Sequence, residues 1–403
     1  MANSLDAYSS FRIRDFRLLI AATFLSNFGM QMLSVAISWD LYVLTKSAIV
    51  LGNVGFAQVA PFLIFALFAG QYADRHDRRR IMIFTQILFV AASALLLAGF
   101  HSVAMIYTCL FLTASARAFQ WPARQGVLPL LVPAESLSNA ITWNSSVMEI
   151  ASVTGPAVGG ILVAITGSGA VYVVQVVCAL LTLGCYALME YRSKPATIPS
   201  IPKDSAQGLL EGVRFVWNNK LILPAMTLDM FGVLFGGATA LLPIYAVDIL
   251  HVGPQGMGWL RAAPSIGAVA MAVTSAHRRK ITGAGRALLF AVAGFGAATV
   301  AFGISQSFWF SFAMLLVIGA LDNVSVVLRQ SLVQTRTPDH LRGRVLAVNS
   351  IFISCSNQLG AVESGWTAAW FGAVPSVAGG GLATIAVVAV CALASAPLRK
   401  WQQ

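Results

Sequence analysis

Apolar stretches of about 20 residues recur along the chain from Phe16 to Ala396, separated by short polar breaks. A stretch of that length is what an α-helix needs to cross the hydrocarbon core of a bilayer. A membrane β-barrel would need shorter segments with alternating apolar and polar residues, and the run from Ile81 to Phe100 shows no such alternation. The pattern therefore predicts an all-α membrane protein with twelve transmembrane helices.

The composition agrees with this prediction. Apolar residues make up 58% of the 403 residues and charged residues only 10%, whereas a soluble domain carries roughly 25% charged residues. So few charges could not cover the surface of a soluble protein, and the chain is expected to have the lipid bilayer as its main partner.

The positions of the basic residues explain the net charge of +11. Nearly all of the 26 Lys and Arg residues lie in the two tails or in the loops after every second predicted helix, and Lys46 lies on the opposite side. This asymmetry is typical of the positive-inside rule. It predicts a multi-pass protein of the bacterial inner membrane with both termini in the cytoplasm, and it gives no reason to expect nucleic acid as a partner.

The two halves of the chain repeat in sequence. At an offset of 205 positions, Arg124 matches Arg329 and Gly160 matches Gly365, while near the start of each half an offset of 203 aligns Gly55 with Gly258. A repeat of six helices gives two halves with the same orientation, related by an axis along the membrane normal.

The domain boundaries follow from the repeat and from the longest polar stretch. We predict an N-terminal six-helix bundle over residues 1–190, a cytoplasmic linker with a short amphipathic helix over 191–220, and a C-terminal six-helix bundle over 221–403.

The loop after the second predicted helix contains Gly70, Asp74, Arg75, Asp77 and Arg78. With its Gly, the Asp four residues later and the basic cluster, it resembles the cytoplasmic signature of the major facilitator superfamily, although Asp77 stands where that signature usually has Gly. The resemblance implies the major facilitator fold and a gating role for Gly70, Asp74, Arg75 and Arg78. A loop that only sets topology would explain the arginines but not Gly70 and Asp74.

The fifth predicted helix carries Gly155, Pro156 and Gly159 in a pattern similar to a motif of exporters in this superfamily. Pro156 removes a backbone donor and can bend the helix, and glycines four residues apart allow a neighbouring helix to approach closely. We expect this segment to act as a pivot for gating. Ordinary close packing in a membrane bundle is the alternative.

Further segments narrow the resemblance. Residues Trp121–Gly126, Leu137–Ala140 and Ser331–Arg344 resemble the enterobactin-exporter-like branch, except that Ser152 stands where the branch often has Arg. This resemblance implies a proton-driven exporter of siderophores, drugs or similar amphipathic metabolites.

Charged residues inside a bilayer are energetically costly, so they are default candidates for a substrate or proton pathway. The candidates are Asp40, Arg117, Glu149, Asp229, Asp322 and Glu363. Structural ion pairs are the alternative interpretation for each. The repeat places Arg117 and Asp322 at equivalent positions, so we also expect these two residues to face one central cavity and to be coupled.

The sequence contains no motif of a hydrolase, a metalloprotease or a phosphate-binding loop. The five cysteines stand singly in apolar runs, so we expect no metal, no cofactor and no enzymatic activity. The function predicted is alternating-access antiport of a small-molecule substrate against protons, by a monomer. A facilitator or importer, including one that moves lipid, and a non-transporting receptor or scaffold remain the alternatives.

Overall fold

The computed structural model describes residues 8–99, 102–191, 205–277 and 283–402. Within these residues the chain is helical, and no β-strand is present. Two 3-10 turns, Ser9–Arg12 and Ala134–Ser136, accompany the α-helices of the first half. These α-helices are α1 (Arg14–Thr45), α2 (Ala48–Arg75), α3 (Arg78–Gly99), α4 (Val103–Leu131), α5 (Leu137–Thr166) and α6 (Ser168–Leu188).

The second half of the chain contains long helices and also short ones of three and five residues. They are α7 (Ser205–Asn218), α8 (Ile222–Phe235), α9 (Leu242–Ile244), α10 (Gly253–Ala276), α11 (Ala284–Gly303), α12 (Phe308–Arg336), α13 (Asp339–Phe371), α14 (Ala373–Ala394) and α15 (Ala396–Lys400).

In the described part of the chain, 11 helical segments are long and apolar enough to cross a membrane. One of them, Ile222–Ile249, joins α8 to α9 and to the π turn Tyr245–Ile249. The 24-residue α10 adds a twelfth span by its length, because at 1.5 Å per residue it exceeds the ~30 Å of hydrocarbon. The predicted all-α fold with twelve helices is confirmed.

The chain forms two compact units. Unit 1 contains Met1–Leu44, Ala57–Thr197 and Met257–Ala262, and unit 2 contains Thr45–Phe56 and Ile198–Gly256 together with Ala263–Gln403. Each unit therefore contains most of one repeat. The segment Thr45–Phe56, which includes the beginning of α2, belongs to unit 2, and the segment Met257–Ala262 of α10 belongs to unit 1. The domain boundaries inferred from the sequence stay a prediction.

Each unit has its own apolar core. In unit 1, the beginnings of α1 and α3 pack with the end of α4 around Phe16, Met82 and Val127, all of which are fully buried. In unit 2, Ile222, Leu288 and Leu332 pack α8, α11 and α12 together. These cores hold the helices on which the charged side chains lie.

The backbone repeats as the sequence does. Among the described residues, Lys46 and His251 are the only non-glycine residues with positive φ, at 50° and 52°. Gly167 and Gly372, which end α5 and α13, have φ of 82° and 92°. Both pairs are separated by the offset of 205. The π turn Tyr245–Ile249 has no counterpart in α1.

The short helix predicted in the linker is α7. Its Val216 is buried, and Gly212 approaches Arg344 of α13 so closely that an added Cβ would lie 3.2 Å from the Arg344 Cβ. Glu211 forms an ion pair with Arg344.

Candidate functional site

One face of α12 carries three polar side chains. Asp322, Ser325 and Arg329 stand at positions i, i+3 and i+7, which places them on one side of the helix. Helical geometry thus places two charged residues and one hydroxyl along one side of α12.

Arg329 forms an ion pair with Asp229 of α8. The side chains are only 2% and 7% exposed, so the pair is screened from solvent on all sides. Among the described residues, no acceptor lies within hydrogen-bonding distance of the Arg329 Nε atom. An ion pair at this depth offsets the cost of burying each charge, and removing one partner alone is strongly destabilising.

Asp322 faces the same space as Asp229. Both residues line a small cavity between α8, α11 and α12, together with Ser325, Gly232 and Phe295. Its volume of about 10 Å³ is room for about one water molecule. We call the group of Asp229, Asp322, Ser325 and Arg329 the carboxylate site.

The charge balance of the carboxylate site determines what it can do chemically. One guanidinium neutralises Asp229, and no basic side chain in the described part of the chain pairs with Asp322. A second carboxylate near the first favours the neutral, protonated form, because two like charges in a confined site repel each other and burial disfavours the ion. The site therefore contains two carboxylates and one guanidinium.

The pathway candidates of unit 1 lie in different surroundings. Asp40 on α1 accepts a hydrogen bond of 2.6 Å from the Tyr172 hydroxyl and another from Ser168, so it ties α1 to α6. Arg117 is exposed on α4 and contacts the sulfur of Met30. Glu149 is exposed on α5. These three residues are not brought together in one site, and coupling between Arg117 and Asp322 stays a prediction.

Glu363 lies apart from the carboxylate site. It is half-buried on α13 and lines a larger cavity of about 310 Å³, at the turn between α13 and α14.

The loop between α2 and α3 is held by its own polar residues. The Asp77 carboxylate accepts a 2.9 Å hydrogen bond from the Arg79 backbone N–H, as an N-cap of α3 does. Arg78 donates to the Gly126 carbonyl at 2.7 Å. Asp77 thus supplies a cap where the superfamily signature usually has Gly, and Arg78 fixes the loop to α4.

Other gating candidates are less constrained by contacts. Arg75 is exposed, and a Cβ added to Gly70 would meet no described atom within 4 Å. The side chain of Asp74 lies outside the described part of the structure. The gating roles of all three stay predictions.

The glycines of α5 lie against α1. A Cβ added to Gly159 would be 2.9 Å from the Met32 Cα, and one added to Gly155 would be 2.6 Å from the Gln31 Cβ. Pro156 lies between them inside the helix. The two backbones are therefore so close that only glycine fits without a shift, and the motif makes a tight helix contact in unit 1.

Sequence reasoning did not identify Arg329 as a member of the site. It was noted only as the repeat partner of Arg124, at the end of a predicted helix. Its spacing of seven residues from Asp322 was the available signal, since it places both on one helix face. Tyr172 and Ser168 were also missed, because nothing local in the sequence shows that α6 lies beside Asp40.

Comparisons with known proteins agree with this architecture. A family model described as "Transmembrane secretion effector" matches residues 5–403. Macrolide efflux protein A of Streptococcus pyogenes is 27% identical over 257 residues, which are 62% of this chain and 63% of that protein. The matched part of this relative is thus less than two thirds of its length.

A longer match is to the multidrug efflux pump Tap of Mycolicibacterium fortuitum, 24% identical over 362 residues, which are 86% of this chain and 88% of that protein. Among solved structures, a POT family transporter in complex with 5-aminolevulinic acid superimposes with a TM-score of 0.75 at 11% identity, covering 96% of this chain and 97% of that one. The structural match supports the fold alone.

Proposed function

Since this chain belongs to the transmembrane secretion effector family of the major facilitator superfamily, we propose that it is a secondary active exporter that exchanges amphipathic small molecules for protons. The observation that carries the proposal is the carboxylate site, in which Asp229 is paired with Arg329 and Asp322 lines the same water-sized cavity. Buried ionisable residues of this kind mark proton relays in membrane proteins.

The coupling step uses the geometry of α12. Side chains of an α-helix point toward its N-terminus, so Arg329 extends along the helix in the direction of Asp322. A proton bound at Asp322 leaves Arg329 with Asp229 as its anion. Loss of that proton gives the guanidinium a second carboxylate to attract, and this shift of charge is the event that we propose to couple to transport.

The substrate class rests on the relatives. The proteins compared above are a macrolide efflux protein and a multidrug efflux pump, which favours export of amphipathic organic molecules. The narrower assignment to an enterobactin-exporter-like branch, with siderophores among the substrates, remains a prediction from sequence resemblance.

The remaining assignments belong to the same proposal. The chain resides in a bacterial inner membrane with both termini in the cytoplasm, acts as a monomer, and is not an enzyme. Asp40, Arg117, Glu149 and Glu363 would contribute to the substrate or proton pathway.

Gating is assigned to the α2–α3 loop and to α5. Two contacts support it, that of Arg78 with the Gly126 carbonyl of α4 and that of Gly159 with Met32 of α1. Asp74→Asn is expected to abolish turnover without affecting membrane insertion, since the loop arginines that set topology are unchanged. Transport at the wild-type rate in this variant would remove Asp74 from the gate.

The test of the proposal is transport into inverted membrane vesicles, with a panel of macrolides and lipophilic dyes, with and without a protonophore. Substrate accumulation should require the proton gradient, and substrate addition should release protons from energised vesicles.

Asp322→Asn should keep downhill exchange but lose concentrative uptake, because an amide cannot bind and release the proton. Gln120→Leu, at the first-half position that matches Ser325, is the matched control and should still concentrate substrate.

The alternatives give different results. Substrate movement that persists when the gradient is collapsed, with no proton release, would identify a facilitator or importer. No movement of any compound would favour a receptor or scaffold.

A further inference from the structure

The cavity beside Glu363 combines apolar walls with a few polar groups. We call it the α13–α14 cavity. The Phe235 and Phe371 side chains form part of its wall, and the latter is 68% exposed. Its volume of about 310 Å³ is at the lower end of the range for small-molecule sites.

The polar groups of the cavity cluster on one side. Glu363 receives a 3.4 Å hydrogen bond from the Ser364 hydroxyl. Thr367 and Ser376 share a hydrogen bond of 2.7 Å between their hydroxyls, and both line the cavity. In the described part of the chain, no Lys or Arg forms an ion pair with Glu363.

The first repeat has no such chemistry at the equivalent positions. Glu363 corresponds to Val158, and Thr367 corresponds to Leu162. The first repeat therefore has apolar side chains where the second has a carboxylate and a hydroxyl. This difference is not required by the helical framework, which both halves share.

The open space of the cavity also reflects a sequence difference between the two repeats. Gly379 and Gly380 of α14 correspond to Val174 and Gln175 of α6. In unit 1 the Gln175 side chain reaches α1, where its Oε1 atom would lie 2.2 Å from a Cβ added to Gly29. Gly379 thus leaves α14 without a side chain that would fill the cavity, whereas Gly380 lies against α8, where an added Cβ would be 2.1 Å from the Phe235 carbonyl oxygen.

A half-buried carboxylate without a basic partner can accept the charge of a bound cation, and aromatic faces attract cations. We propose that the α13–α14 cavity binds an amphipathic organic cation, with Glu363 facing its charge and Phe235 and Phe371 contacting its apolar part. Glu363 lies eight residues before the end of α13, about 12 Å along the axis. In the proposed orientation, Glu363 therefore lies at the depth of the outer leaflet, and the cavity would hold the cation during export. This role in export rests on the proposed function. The binding of the cation does not.

The test is equilibrium binding of radiolabelled tetraphenylphosphonium to the full-length protein in phosphatidylcholine nanodiscs. Glu363→Gln should weaken binding at least about tenfold, because the amide carries no charge. Gly379→Val should do the same by occupying the cavity, since a Cβ at Gly379 meets no described atom within 4 Å. Gly184→Val is the matched control, because this α6 glycine is equally open, and it should bind as the wild type does.

Thermal melting of each variant verifies that it is folded. Wild-type affinity in both folded variants, Glu363→Gln and Gly379→Val, would overturn the proposal. Displacement of tetraphenylphosphonium when phosphatidylethanolamine replaces phosphatidylcholine would also overturn it, by showing that a lipid amine occupies the cavity. If these two variants bind normally while Asp322→Asn loses proton-driven export, the cavity proposal fails and the proposed function stands. If the two variants lose binding but export does not depend on the proton gradient, the cavity proposal stands and the proposed function fails.

Discussion

The two halves of this chain place a buried arginine at equivalent positions but give it different neighbours. Arg329 pairs with Asp229, whereas Arg124 lies over the Trp121 ring, 5.2 Å from its centroid, and forms no ion pair with an acid in the described residues. At the offset of 203 that applies near the start of each half, the first-half position that matches Asp229 is occupied by Ser26.

The adjoining positions differ in the same way. Gln120, which matches Ser325, donates to Gln86 at 2.9 Å, and Gln86 donates to the Ala179 carbonyl at 3.0 Å. These neutral hydrogen bonds tie α4, α3 and α6 together. The second half instead has the cavity shared by Asp229 and Asp322.

The two halves thus share a helical framework but differ in their polar residues. Both halves keep the helical framework and its turns, but the carboxylate site lies in unit 2. The resemblances to gating motifs lie in unit 1. Substitutions that remove one charge or one contact should therefore have different effects on stability and transport in the two halves.

The largest effect is expected for Asp229→Asn. It leaves the Arg329 guanidinium buried without an anion, so the free energy of unfolding should fall by about 3–5 kcal/mol. Arg124→Gln in the first half should cost about 1 kcal/mol, mainly from the lost cation–π contact. Thermal melting of the purified proteins in detergent measures both.

A double variant, Asp229→Asn with Arg329→Gln, checks the cause. It should recover part of the lost stability, because no charge is then left unpaired. Equal melting temperatures of Asp229→Asn and Arg124→Gln would contradict the difference between the halves.

The next largest effect is expected at the tight contact between α5 and α1. Gly159→Ala should cost about 1–3 kcal/mol, because its Cβ would lie 2.9 Å from the Met32 Cα and the helices must separate. Gly184→Ala on α6 has open space around its Cβ and serves as the control. Melting temperatures and transport rates should both fall only for Gly159→Ala; a fall of equal size in the control would show a general loss of helix packing.

A smaller effect is expected for Asp77→Ala. The loss of the cap on α3 should lower stability by about 1 kcal/mol, whereas Asp77→Asn keeps the cap and should be nearly neutral. Melting temperatures of the two variants distinguish them. If both variants melt alike, Asp77 is not a cap in the folded protein.

The smallest effect is expected for Gln120→Leu. It removes one hydrogen bond between α4 and α3, and such bonds contribute about 0.6 kcal/mol on average within membranes. Proton-coupled transport should be unchanged in vesicles, in contrast to Asp322→Asn in the second half. Loss of coupling in Gln120→Leu would place proton chemistry in both halves.

Much of the fold could be predicted because each transmembrane helix is a local apolar run bounded by polar residues. The break after α8 was not predicted, although Gly236 and Gly237 weaken a helix and Pro243 lacks a backbone donor. There, packing decides that the chain continues as short turns.

The site could be predicted only in part. Asp229 and Asp322 stood out because charges within apolar runs are rare. Their partners depend on which helices are neighbours, and this information is not local in the sequence. Asp40 illustrates the limit, since its tie to Tyr172 joins residues that are far apart along the chain.

The ion pair between Asp229 and Arg329 also has a consequence for biosynthesis. Arg329 is translated 100 residues after Asp229, which takes roughly 5–20 s at 5–20 residues per second. During that time the segment Ile222–Ile249, which has a mean hydropathy of 1.8, enters the membrane because its residues are mostly apolar. Its aspartate costs up to about 3.5 kcal/mol near a helix centre and must stay protonated or hydrated. Pairing with Arg329 is thus a late event, which joins α8 to α12 only after three further spans have been made.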